Sequence, residues 1–64
     1  MEVSLDQAIE IHARVLKKRS GPHASRKARE KAEQLAQAGD HEGHLVWIRV
    51  GETVETLIRQ EGRS

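Results

Sequence analysis

Asp40, His41, Glu42 and His44 crowd into five residues, and these are the side chains of the sequence best suited to chemistry. Imidazole and carboxylate together can hold a divalent metal. The zinc-protease helix places histidines at i and i+4 with glutamate after the first; here the spacing is i and i+3, so that motif is not met. The pair could still share a metal with Asp40 or Glu42. The plainer expectation is two solvated histidines in the first turn of a helix, with no metal and no cofactor. His12 falls near the centre of an apolar arc, which predicts a core-edge residue donating to a carbonyl rather than a pH switch. No serine sits in a nucleophile pattern, and the chain has no cysteine. No catalytic residue is assigned, and the protein is not expected to be an enzyme.

The second chemical feature is charge. Arg14, Lys17, Lys18, Arg19, Arg26, Lys27, Arg29 and Lys31 fall within eighteen residues whose only acid is Glu30, although the net charge is +1. That segment carries +7 and the remainder therefore −6. Clustered Lys and Arg neutralise phosphates and drive non-specific nucleic-acid affinity. Against that use, no aromatic lies within the run to stack on bases, and the overall balance is not strongly basic. The alternative is a solvated helix face that meets acidic surface, either in the same fold or on another protein.

Three helical elements must position these groups. Ser4 and Gln7 have the spacing of a capping box, which starts a helix over about 4–20. Leu5, Ala8, Ile9, Val15 and Leu16 gather on one of its faces at 100° per residue. Gly21-Pro22 ends it. A second helix over 22–38 carries an alanine stripe, Ala24, Ala28 and Ala32, together with Leu35. Alanines bury little area but let a neighbouring backbone approach. Gly39 stops this helix and Asp40 caps a third, over 40–61, whose broad face is Val46, Trp47, Val50, Val54, Leu57 and Ile58. Trp47, the single aromatic ring apart from the histidines, is expected as the anchor of the core between Gly43 and Gly51. Leu45 and Ile48 fall off this face and form a small second apolar patch. The predicted core is Leu5, Ile9, Leu16, Ala28, Leu35, Trp47, Val50 and Val54.

Short connections imply antiparallel neighbours, so the expected fold is all-α, a single three-helix up-down-up bundle over residues 1–64. A chain of 64 residues buries only about 60% of its unfolded surface, and its apolar content is 36%. Such a thin core favours burial against a partner. No stretch approaches the roughly 20 apolar residues of a membrane span, and the acidic MEVSLDQAIE start is unlike a signal peptide, so a cytoplasmic setting without membrane contact is expected.

The segment Ala28-x3-Ala32-x2-Leu35-x3-Gly39-Asp40-x2-Gly43-x3-Trp47-x2-Val50 resembles a hairpin shared by short all-helical proteins, mostly alphaproteobacterial, that have no assigned activity. Val15-Leu16-Lys17-Lys18-Arg19-Ser20-Gly21 is similar to the ALxKRxG-like element that precedes it there. The resemblance spans roughly residues 8–58. It implies an all-helical fold and a bacterial cytoplasmic setting, and it brings no catalytic residues with it. The functional expectation is therefore a small interaction or regulatory module that binds a protein partner or itself, with Leu45 and Ile48 at the interface. The alternative is a nucleic-acid-binding protein that uses the basic segment 14–31.

Overall fold

The computed structural model describes residues 3–62. The chain is all-α. A helical arm, residues 5–37, is bent at its middle and folds against a third segment, residues 41–61.

Helix α1, Leu5–Ser20, begins at a reciprocal capping box. The Gln7 amide donates to Ser4 Oγ at 3.1 Å, and the Ser4 amide donates to Gln7 Oε1 at 3.1 Å. Two of the amides that a helix start leaves without partners are satisfied by side chains only three residues apart. The bend is a single 3-10 turn, Gly21–His23, entered through Gly21 at φ 55°. Pro22 lies in this turn, so helix α2 runs Ala24–Gln37 rather than 22–38. The proline ring cannot donate the backbone bond that would carry α1 smoothly into α2.

The α2 end is a Schellman motif. Gly39, at φ 85°, donates to Ala36 O at 3.1 Å, and Asp40 donates to Leu35 O at 2.8 Å. Asp40 then caps helix α3, His41–Glu61, by accepting from the Gly43 amide at 2.9 Å. One helix is closed and the next opened within two residues.

Helix α3 is the hub on which both halves of the arm pack, and α1 and α2 make the least contact of the three helix pairs. The core is built from Ile9 and Ala13 of α1, Ala24 and Ala28 of α2, and Val50 and Val54 of α3. Ala32 is buried as well, and Leu16, Val46, Trp47, Leu57 and Ile58 pack half-buried against this cluster. Gly51 is buried where α3 crosses α2; a methyl built there would stand 3.5 Å from Ala28 Cβ. Small residues on both sides set that close crossing.

Four expectations for the core are corrected, the first at Leu16, which is half-buried and packs against the central cluster rather than within it. Leu5 is 57% exposed, because the α1 face directed at α3 is centred on Ile9, Ala13 and Leu16, one step round the helix from Leu5. Trp47 is half-buried, and the largest fully buried side chains are Val50 and Val54. Leu35 is also half-buried, near the end of α2, and lies outside the central cluster. Among the described residues no helix is long and apolar enough to cross a membrane.

Candidate interaction surfaces

The histidines separate. His44 is half-buried, and its Nδ1 lies 2.9 Å from Ala32 O. A carbonyl can only accept, so Nδ1 carries the proton in this bond. His41 is exposed. The expected pair of solvated histidines is therefore corrected at His44, whose ring ties the start of α3 to α2. Among the described residues no group of three metal-capable side chains comes together.

His12 is exposed and meets Trp47 edge to face, with ring centroids 5.5 Å apart and planes at 86°. The electropositive edge of one ring against the face of another is the favoured geometry for such pairs. The expected bond from His12 to a carbonyl is absent among the described hydrogen bonds, and the imidazole instead flanks the indole. Leu5, Ala8, Ile9 and His12 of α1, with Val46, Trp47 and Val50 of α3, line an open groove of about 270 Å³.

The basic segment divides into two classes. Arg14 pairs with Glu10 on its own helix, Lys17 with Glu61, and Arg29 with Glu55 at 2.6 Å. The Lys17 side chain is only 19% exposed, so it serves the α1–α3 contact. Arg49 likewise joins α3 to Asp6 of α1. Lys18, Arg19, Arg26, Lys27 and Lys31 are exposed and have no acid partner among the described residues. Arg14, Lys17 and Lys18 also line a wide cleft of about 740 Å³ with Pro22, Leu57 and Glu61, beside the bend.

The apolar patch predicted at Leu45 and Ile48 is uneven. Leu45 is 61% exposed, while Ile48 is half-buried. A larger apolar surface lies on α1, where Ile11 and Val15 are 55% and 50% exposed alongside Leu5. Sequence reasoning assigned Leu5 and Val15 to the inner face with Ile9 and Leu16. The usable signal was the width of the α1 apolar arc, which is too broad for one helix to bury.

Comparison with protein-family models, with curated proteins and with solved structures finds no match to this chain.

Proposed function

We propose that this chain is a small helical binding module rather than an enzyme: an up-down-up three-helix unit that engages a protein partner or a second copy of itself. The up-down-up arrangement is supported by the pairings across α3. Asp6 meets Arg49 and Lys17 meets Glu61, so α1 and α3 run in the same sense. Ala32 meets His44 and Arg29 meets Glu55, so α2 runs against α3.

The observation that carries the binding role is the outer face of α1. Leu5, Ile11 and Val15 leave half or more of their area to water on a single helix, and Leu5 also lines the groove that holds the half-buried Trp47. Contiguous exposed apolar surface rimmed by charge marks interaction sites. This fits the interaction or regulatory role expected from the thin core, in the bacterial cytoplasmic setting that the sequence resemblance implies. The test is complex formation by light scattering and by pull-down from nuclease-treated lysate. The doubled variant Ile11→Glu with Val15→Glu should lose its complexes while keeping its helical circular dichroism. Unchanged complexes in that variant would remove α1 as the binding face.

A second reading, nucleic-acid binding, is favoured by Lys18, Arg19, Arg26, Lys27 and Lys31, which have no acid partner among the described residues. It predicts affinity for DNA or RNA that falls steeply with salt. No binding at low ionic strength would eliminate it.

A further inference from the structure

Resting on the binding-module reading above but using a different face, we infer that the opening between α1 and α2 over Trp47 receives an acidic amphipathic helix of a partner protein.

The bent arm sets the opening. α1 and α2 are joined at the bend yet make the least contact of the three helix pairs. The groove of about 270 Å³ that holds Trp47 is lined by α1 and α3, with no residue from α2. α2 therefore stands back from the groove as its far bank.

Helical spacing shows which side of α2 forms that bank. At roughly 100° per residue, the successive directions round α3 are Val50, Trp47, Gly51 and Glu55. Val50 lines the groove with α1, Gly51 meets Ala28 of α2, and Glu55 pairs with Arg29. Arg29 thus occupies the side of α2 turned away from Trp47. Lys27 and Lys31 lie on the other side of the alanine stripe, turned toward it. The heights agree as well. Ala32 meets His44 and Ala28 meets Gly51, so Trp47 stands level with the turn of α2 that carries Lys31. On the α1 wall, Arg19 lies about two turns beyond His12 on the same side. Arg19, Lys27 and Lys31 are exposed and have no acid partner among the described residues. No acid shares either of these flanks.

The two walls specify the occupant. Leu5, Ala8 and the Trp47 indole call for apolar side chains, and the far bank calls for carboxylates. A helix laid along the opening presents both, with apolar residues at i, i+3 and i+4 and acids beside them. It would complete a four-helix bundle. Nucleic acid fits this groove less well. Only His12 and Trp47 in the lining carry a polar side-chain atom, so an inserted base would lose hydrogen bonds. Nor does a second copy offer such a helix. α1 is the helix with exposed apolar residues, and its two acids, Asp6 and Glu10, already pair with Arg49 and Arg14.

Trp47 is the chain's only tryptophan, so its fluorescence reports on the groove. The probe is a tryptophan-free synthetic helix with leucines three and four residues apart, flanked by glutamates. Its control carries lysines in place of the glutamates. The acidic peptide should shift Trp47 emission to shorter wavelength and bind about tenfold more tightly than the control. Lys27→Glu with Lys31→Glu, both at exposed positions, should keep its helical circular dichroism and invert that preference. Ile11→Glu with Val15→Glu, outside the groove lining, should bind the acidic peptide as wild type does. Equal affinity for the two peptides, no binding up to millimolar concentration, or an unchanged preference in the charge-reversed variant overturns the proposal. So does loss of peptide binding in the Ile11 and Val15 variant, or tighter binding of single-stranded DNA than of the acidic peptide. A wild type that binds neither peptide, yet forms lysate complexes through Ile11 and Val15, leaves the module reading standing without this site. Failure of both measurements removes both.

Discussion

His44 reaches back from the first turns of α3 to donate its Nδ1 proton to the Ala32 carbonyl of α2 at 2.9 Å. Twelve residues separate the two, and the intervening Gly39-Asp40 turn sets the helices close enough for the ring to bridge them. This bond is a half-buried polar link beside an otherwise small-residue crossing.

Replacing His44 by alanine is therefore expected to cost about 1 kcal/mol, the usual net worth of such a hydrogen bond. His44→Asn places an amide nitrogen near the Nδ1 position and should recover part of the loss. Urea unfolding of the three proteins measures both. Equal midpoints for wild type and His44→Ala would show that the bond contributes nothing.

The two glycines Gly51 and Gly39 should respond oppositely to alanine. A Cβ at Gly51 meets Ala28 Cβ at 3.5 Å, Ser25 O at 3.8 Å and Arg29 Cγ at 3.9 Å, all ordinary contacts. Helix propensity then dominates, and Gly51→Ala should stabilise by about 0.5–1 kcal/mol. At Gly39 nothing obstructs the methyl, but φ is 85°, so Gly39→Ala should cost about 1–2 kcal/mol. Thermal or urea melts decide, and destabilisation by Gly51→Ala would mean the helices crowd that site more tightly than these distances imply.

Gly43 and Asp40 should be coupled. A methyl on Gly43 would come 2.6 Å from Asp40 Oδ2, so the carboxylate must swing away and lose its bond to the Gly43 amide. Asp40→Ala alone should cost about 1 kcal/mol, the usual value of an N-cap. With the cap already removed, Gly43→Ala should turn from harmful to neutral or favourable, because only helix propensity remains. A double-mutant cycle reads this directly, and additive effects would rule the coupling out.

Core substitutions should separate α1 from α3. Val50→Ala and Val54→Ala each remove two buried carbons and should cost about 1.5–3 kcal/mol. Leu5→Ala, at an exposed position, should change the stability of the isolated chain by less than about 0.5 kcal/mol. Denaturation at dilute, monomeric concentration makes the comparison. A large loss at Leu5 there would contradict its exposed placement.

What the sequence determined by itself is local. The Ser4–Gln7 box, the stop at Gly21-Pro22 and the Gly39-Asp40 junction are written within stretches of four or five residues, and backbone groups at helix ends need partners wherever the helix lies. The alanine stripe of α2 was legible for a similar reason, since small residues at helical spacing face a close neighbour in almost any packing. Tertiary structure decided which part of the broad α1 arc is covered. Periodicity placed Leu5, Ile9, Val15 and Leu16 on one side, but only the line along which α3 crosses buries Ile9 and Ala13 and leaves Leu5, Ile11 and Val15 to water. The separation of His41 from His44, and the pairing of Lys17 with Glu61 and Arg29 with Glu55, likewise depend on residues brought together from distant parts of the chain. Capping chemistry acts over one helical turn and can be read in order, whereas burial and charge pairing are set by the relative placement of whole helices, which no short window of residues contains.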